Sequence, residues 1–194
     1  IPIGQSFFVK ANAASPVLTM NNSVRVHNTQ AFYKTNEVPT ELLRLKAETS
    51  IGTDDIVIHF RPEATQLFDD EYDAYKLTGG SDAPQLSSIT SDNKKVSINS
   101  LPFSTTDEVV PLFFTVNTAS EVTFTASGME SFYSTPPIYL EDVVENKVID
   151  LQLQPTYSFH YTPGQENRFN LRFTNITDQD ETETMNGLIY YSNK

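Results

Sequence analysis

The segment Phe169-Asn170-Leu171-Arg172-Phe173 (FNLRF) alternates apolar and polar side chains along its whole length. Successive side chains of a β-strand point to opposite faces of the sheet, so the alternation separates the apolar residues from the polar ones. A strand of this kind rests one face on a core and turns the other to water. Because the same pattern recurs along the chain, it decides the fold class.

Similar strand patterns occur at 43–47, 57–60, 95–99, 122–126 and 157–161, and 111–116 (PLFFTV) is typical of a more fully buried strand. Turn-forming residues separate them at 51–55, 78–82, 91–94, 145–147 and 163–165. Short alternating strands divided by such turns predict an all-β fold. We expect a jelly-roll-like sandwich of two antiparallel sheets over roughly 40–175, because each apolar face needs a second sheet to cover it.

Three parts are predicted along the chain. Residues 1–39 would add strands to the sandwich or end a preceding subdomain, and 40–176 would form the β-sandwich itself. Residues 177–194 would be an acidic linker followed by the start of a truncated domain, since a strand begins near 187 with no partner after it. The only helical candidates are the brief segments 62–68 and 70–75.

Composition excludes several classes of function. The net charge is −12, from 25 acidic and 13 basic residues, whereas nucleic-acid binding needs clustered Lys and Arg. We therefore expect no nucleic-acid partner. Cysteine is absent, which removes disulfides, thiolate nucleophiles and thiolate metal ligands. No apolar run approaches the roughly 20 residues of a membrane helix, so we expect no direct membrane insertion.

An ordered set of segments resembles a module of large secreted proteins of Bacteroidetes. In those proteins the module precedes a C-terminal type IX secretion sorting domain. The matching segments are 4–11 (GQSFFVKA), 20–27 (MNNSVRVH), 32–34 (FYK), 43–45 (LRL), 64–69 (ATQLFD), 72–77 (YDAYKL), 97–102 (SINSLP), 110–114 (VPLFF), 138–142 (IYLED), 157–159 (YSF) and 167–173 (NRFNLRF). Residues 189–192 (IYYS) resemble the opening of the sorting domain.

This resemblance implies a β-sandwich that is secreted or held at the outer-membrane surface. It implies no activity, and no catalytic residue carries over from it. We therefore expect a non-catalytic spacer, adhesion or ligand-binding module, with a cell-surface or extracellular glycan or protein as its partner. The alternative is a carbohydrate-binding or glycan-active domain that uses surface Tyr and acidic residues.

The stretch FDDEYDAYKLTGG at 68–80 looks most like a site. Asp69, Asp70 and Asp73 supply the oxygen ligands that calcium prefers, although they lack the spacing of an EF-hand loop. Calcium is thus the one cofactor to consider, and otherwise none is expected. The simpler interpretation is structural, with Asp69 or Asp70 capping a short helical turn.

On that structural interpretation, Phe68, Tyr72 and Tyr75 would line one side of a helical turn, since their spacings are four and three. We expect Ala74 and Leu77 to help bury that side, and we expect Glu71 and Lys76 to stay solvated.

Other candidate residues are weaker. Without Trp, the chain can stack sugar rings only on Tyr or Phe, and we consider Tyr72, Tyr75, Tyr133 and Tyr161 as such a ligand platform.

A glycosidase needs two carboxyl groups about 5–9 Å apart. Asp73 with Glu141 or Asp142 is the best remote combination, but 139–147 is also typical of a strand entering a hairpin turn. His27, His59 and His160 are isolated, with none of the usual zinc or serine-hydrolase spacings.

Overall fold

The structure is a computed structural model, and it describes residues 9, 11, 13–26, 40–80, 82–104, 106–132 and 137–173. The chain divides into two compact units, Ile1–Val38 and Pro39–Lys194. In the first unit, every described residue is exposed and the regular structure described is the 3-10 turn Asn22–Val24. The predicted acidic linker and truncated strand at 177–194 lie outside the described residues.

Among its described residues, the second unit contains eleven strands. They are β1 Leu42–Glu48, β2 Thr53–Phe60, β3 Ala74–Tyr75, β4 Gln85–Ile89, β5 Lys95–Leu101, β6 Glu108–Thr115, β7 Ser120–Ser127, β8 Ile138–Asp142, β9 Lys147–Asp150, β10 Thr156–Tyr161 and β11 Phe169–Phe173. No helix in the described part of the chain is long and apolar enough to cross a membrane.

All of the strands belong to one hydrogen-bonded sheet. Its order is β10-β7-β1-β2-β5-β4-β6-β11-β8-β9, and β3 adds to β5 beside this path. Neighbouring strands pair antiparallel except β2 and β5, which run parallel from Val57↔Ile98 to Phe60↔Leu101. A parallel pair needs a long crossover, and here residues 61–94 provide it and carry β3 and β4.

The all-β prediction is confirmed, but the prediction of two antiparallel sheets is wrong. One mixed sheet curls until it nearly closes into a barrel. The parallel contact of β2 with β5 joins the two halves that a sandwich would keep apart. Alternation shows that one face of a strand is buried, but it carries no information on whether a second sheet or the far side of the same sheet covers that face.

The interior of the barrel is aromatic and aliphatic. The rings of Phe114 and Tyr161 lie 5.1 Å apart, edge to face, and Phe159 on β10 lies 4.6 Å from Phe169 on β11. Edge-to-face and tilted ring pairs at these distances are favourable beyond the area they bury. These contacts pack β10 against β6 and β11 across the interior of the barrel.

Candidate functional site

Asp142 at the end of β8 is the centre of a buried polar cluster. Arg168 Nε donates to Asp142 Oδ1 at 2.8 Å and Arg168 Nη2 donates to Oδ2 at 2.6 Å. Tyr157 Oη donates to Oδ2 at 2.8 Å, while the amides of Val144 and Glu145 donate to Oδ1. Asp142 and Arg168 are 0% and 2% exposed. Every face of this carboxylate is therefore occupied by a donor from the protein.

The pKa values in the cluster follow from burial and from these bonds. Burial pushes the pKa of Asp142 upward, but Arg168, the Glu145 amide and Tyr157 outweigh it, so the pKa lies below its usual 3.8. Burial, and next the adjacent Asp142 carboxylate, raise the pKa of the Tyr157 hydroxyl. The cluster thus holds one fixed ion pair and a neutral phenol at neutral pH.

Glu141 points to the opposite face of β8 from Asp142, as adjacent strand residues do. Arg172 Nε donates to Glu141 Oε2 at 3.0 Å, and Arg172 Nη2 lies 3.0 Å from Oε1. Asn170 Nδ2 adds a bond to Oε2 at 2.8 Å. Both partners come from β11, the cross-strand neighbour of β8. Glu141 is therefore bound into a cross-strand pair on the outer face.

Asp73 anchors the crossover to β5. Its Oδ2 accepts from the Asp69 amide at 2.8 Å, and its Oδ1 accepts from the Ser100 amide at 2.7 Å. Burial raises the pKa of Asp73, although both amide bonds pull it down. The carboxylate thus joins the turn at 69–73 to the strand beneath it.

The combinations considered for a glycosidase do not meet. Asp73 contacts β5, whereas Glu141 and Asp142 lie on β8, with β4, β6 and β11 between them. Asp73 and the two acids of β8 therefore make their contacts on different strands of the sheet. Glu141 and Asp142 point to opposite faces of β8.

The acids proposed as calcium ligands serve the backbone of the turn. Asp69 Oδ1 accepts from the Glu71 amide at 2.9 Å, so Asp69 caps the turn as predicted. Asp70 is exposed. Across the described residues, no three His, Asp or Glu side chains are grouped so that they could hold a metal ion. Calcium binding by Asp69, Asp70 and Asp73 stays a prediction.

The aromatic residues of 68–80 are arranged differently from the helical prediction. The described residues contain no helix at 62–68 or 70–75, and Tyr75 lies instead in the short strand β3. Phe68 and Tyr75 stack on each other with centroids 4.0 Å apart. Tyr72 turns away and receives the guanidinium of Arg61, whose Cζ lies 3.9 Å from the ring centroid. All three rings are half-buried, so the segment covers the sheet but does not enter the core.

Two further details of that prediction are wrong. Lys76 is not solvated, because its side chain is only 8% exposed and its ammonium binds the Asp54 carboxylate. The same carboxylate accepts from the Leu86 amide at 2.6 Å. Leu77 does not help to bury the segment, since it is 61% exposed. The acid that binds Lys76 is Asp54 on β2, 22 residues earlier in the chain. The sequence around Lys76 gives no sign of this contact.

The remaining candidates separate by burial. Tyr161 is fully buried, with its hydroxyl 3.4 Å from Thr115 Oγ1, so its ring has no face open to a ligand. Tyr133 and His27 lie outside the described residues. His160 is exposed and its Nδ1 lies 2.7 Å from Glu121 Oε1. His59 is half-buried on β2, and burial, followed by the charge of Arg61, lowers its pKa.

One grouping was missed by the sequence analysis. Arg61 follows β2, and its amide donates to the Leu101 carbonyl at 2.9 Å. His59 lies two residues earlier, on the same outer face, and Tyr72 stacks on Arg61 from the crossover. The available signal was weak, since it consisted of two basic side chains at alternate positions next to Pro62.

Residues 1–173 match the model of a protein family described as a domain of unknown function, DUF8693. The chain belongs to the DUF8693 family. No curated protein and no solved structure matches the chain significantly. The match ends at residue 173 and does not connect the chain with type IX secretion, so the secretion route stays a prediction.

Proposed function

We propose that this DUF8693 domain is a non-catalytic extracellular module of a secreted, cell-surface-sorted bacterial protein. Its role there is that of a spacer, adhesion or ligand-binding domain, with an extracellular glycan or protein as partner. The ordered segments that resemble the module preceding a type IX sorting domain support the location.

The observation that carries the non-catalytic role is that the three acids considered for a glycan-cleaving pair each bind a different partner in the protein. Asp142 is buried on Arg168, Glu141 is bound by Arg172 on the outer face, and Asp73 holds the Ser100 amide. A general acid or nucleophile must reach the substrate. A carboxylate with no exposed surface, such as Asp142, cannot do so without unfolding its surroundings.

A carbohydrate-binding role is favoured over a glycan-active one by the grouping of His59, Arg61 and Tyr72. These side chains are half-buried and come together from two different elements. A site that binds without cleaving needs hydrogen-bonding groups and apolar surface but no paired carboxylates.

Hydrolysis by the purified chain tests the proposal. The wild-type protein and the Glu141→Gln and Asp73→Asn variants are incubated with soluble neutral and acidic polysaccharides, and new reducing ends are quantified. We expect no release above buffer for any of the three proteins. Release by the wild type that either substitution abolishes would overturn the non-catalytic role.

Location needs its own measurement. Intact cells that express the parent protein are treated with a protease, and the domain is followed by an antibody raised against the purified chain. We expect the signal to be lost without lysis. A signal that survives until the cells are broken would contradict a surface position.

A further inference from the structure

Arg61 differs from the other arginines of the second unit. Arg44, Arg168 and Arg172 each bind a carboxylate, on Asp55, Asp142 and Glu141 respectively. Arg61 instead forms a longer ion pair, with Glu63 Oε2 3.6 Å from its Nε, and this buried Nε has no hydrogen-bond partner among the described residues. A buried donor without a partner calls for an explanation.

The Arg61 side chain is nevertheless held in place. Its backbone amide is fixed to Leu101, and the Ala64 amide returns to the Arg61 carbonyl at 3.3 Å. The guanidinium lies on the Tyr72 ring, and a stacked cation of this kind is favourable. The side chain keeps 34% of its surface exposed. Arg61 is therefore positioned in advance, with about a third of its side-chain surface open to solvent.

His59 and Tyr72 border Arg61 on the same outer face. His59 pairs with Ser100 across β2 and β5, and Ser100 Oγ donates to the Tyr72 carbonyl at 2.9 Å. The lowered pKa of His59 leaves it a neutral imidazole at neutral pH, with one donor and one acceptor nitrogen.

The charge around this patch is acidic. Burial raises the pKa of the Tyr72 hydroxyl, and so do the negative charges of Glu71, Glu63 and Asp69. The positive charge of Arg61 lowers it. A ligand with further negative charge would meet repulsion here, and the chain as a whole carries a net charge of −12. A neutral polyol can accept from the guanidinium and donate to a carboxylate at the same time.

We propose that His59, Arg61 and Tyr72 form a binding site for a neutral saccharide. The guanidinium of Arg61 donates to adjacent hydroxyl groups of the sugar, the Glu63 carboxylate accepts from them, and the imidazole of His59 offers a further hydrogen bond. The inference rests on the proposed non-catalytic role and names its ligand class.

Affinity electrophoresis in native gels tests the site. The gels contain dextran, mannan or mixed-linkage β-glucan as neutral probes, and polygalacturonate as the acidic probe. We expect at least one neutral polysaccharide to retard the wild-type chain and polygalacturonate to leave it unchanged. Arg61→Ala should raise the retardation Kd at least about tenfold, as loss of a charged hydrogen-bond donor does.

Two further variants complete the design. Arg61→Lys keeps the charge but loses the planar fork of donors, so it should also weaken retardation. Arg44→Ala is the matched control, since it removes an exposed arginine that already binds Asp55, and it should leave retardation unchanged. Thermal melts of all variants confirm that each is folded under the conditions of the gel.

The outcomes separate this inference from the proposed function. No retardation by any of the three neutral polysaccharides, equal retardation of wild type and both Arg61 variants, or preference for polygalacturonate would each overturn the saccharide site. Absence of retardation together with absence of reducing-end release would leave the non-catalytic role standing. Release of reducing ends would remove the non-catalytic role, whatever the gels show.

Discussion

Arg168 and Asp142 form a two-bond ion pair inside the barrel, with donor–acceptor distances of 2.8 and 2.6 Å. Arg168 stands at the start of β11 and Asp142 at the end of β8. Through Tyr157 and the His160 carbonyl the pair also reaches β10. It therefore connects the edge strand β10 with β8 and with the residue that precedes β11.

Removing Arg168 should destabilise the domain strongly. In Arg168→Met the carboxylate of Asp142 stays buried without its partner, which typically costs about 3–5 kcal/mol of unfolding free energy. Arg172→Met is the matched control, because Arg172 is 40% exposed and pairs with Glu141 on the surface; it should cost about 1 kcal/mol or less. Urea unfolding measures both. Equal losses in the two variants would show that the buried pair does not stabilise the barrel more than an exposed pair does.

The contribution of Asp142 should disappear in acid. Its pKa in the folded protein is below the usual 3.8, whereas in the unfolded chain it is about 3.9. The ionised form stabilises the fold, so the contribution is complete above the unfolded pKa and is lost as pH falls toward the folded pKa.

Comparing wild type with Asp142→Asn isolates this effect. The difference in unfolding free energy should be constant from pH 7 to about 5, then narrow by up to about 1.4 kcal/mol per pH unit below about pH 4. A difference that widens in acid would mean that the folded protein raises the pKa of Asp142.

Phe68 should matter less than a core phenylalanine. It is half-buried and stacks on Tyr75 at 4.0 Å, so Phe68→Ala should cost roughly 1–2 kcal/mol, about half the effect of full burial. Phe114, which is 0% exposed, provides the comparison, and Phe114→Ala should cost about 3–5 kcal/mol. Chemical denaturation of both variants measures the ratio, and a loss at Phe68 as large as at Phe114 would place its ring in the core.

Asp73 should be a structural residue of the crossover. Asp73→Ala leaves the Asp69 and Ser100 amides without an acceptor, which should cost about 1–3 kcal/mol. The exposed pair Asp70→Asn and Glu71→Gln should stay within about 0.5 kcal/mol of wild type.

Melts of wild type in calcium and in chelator complete that comparison. We expect the same midpoint in both, because the carboxylates of Asp69 and Asp73 already accept backbone amides. A rise of several degrees in calcium that the Asp70 and Glu71 substitutions abolish would instead establish a calcium site.

Strands with regular alternation were predictable from the sequence because their pattern is local. The alternation at 157–161 falls within β10 and that of FNLRF coincides with β11. The hairpin predicted after Glu141 is also present, with Asn146 at a φ of 51° in its turn. Asn is recognisable as a turn residue from the sequence because it tolerates the left-handed backbone conformation.

Other elements carried no local signal. β4 contains Ser87 and Ser88, both fully buried, so it lacks the apolar alternation of a half-exposed strand. The parallel pairing of β2 with β5 depends on which strands meet in space. For the same reason the partners of Asp142 and Lys76, which lie 26 and 22 residues away, could not be read from their neighbours.

The candidate site was also predictable only in part. A dense run of carboxylates is visible in the sequence, but the hydrogen bonds that those carboxylates make are not. Glu141 and Asp142 could be placed on opposite faces from alternation alone, whereas the separation of Asp73 from both required the strand order. Arg61 was identified only from the structure, because its buried Nε has no hydrogen-bond partner among the described residues.

The most direct test of the central claim, that these carboxylates act separately and structurally, is a pH titration of Asp73, Glu141 and Asp142 followed by carboxyl carbon NMR. We predict single-step curves for Asp142 and Asp73, with the pKa of Asp142 below 3.8 and that of Asp73 above 3.8. Asp142→Asn should leave the curve of Asp73 unchanged, because the two groups are several strands apart. Two-step titration shared by Asp73 and Glu141, as neighbouring carboxylates show, would contradict the account and place a catalytic pair in this domain.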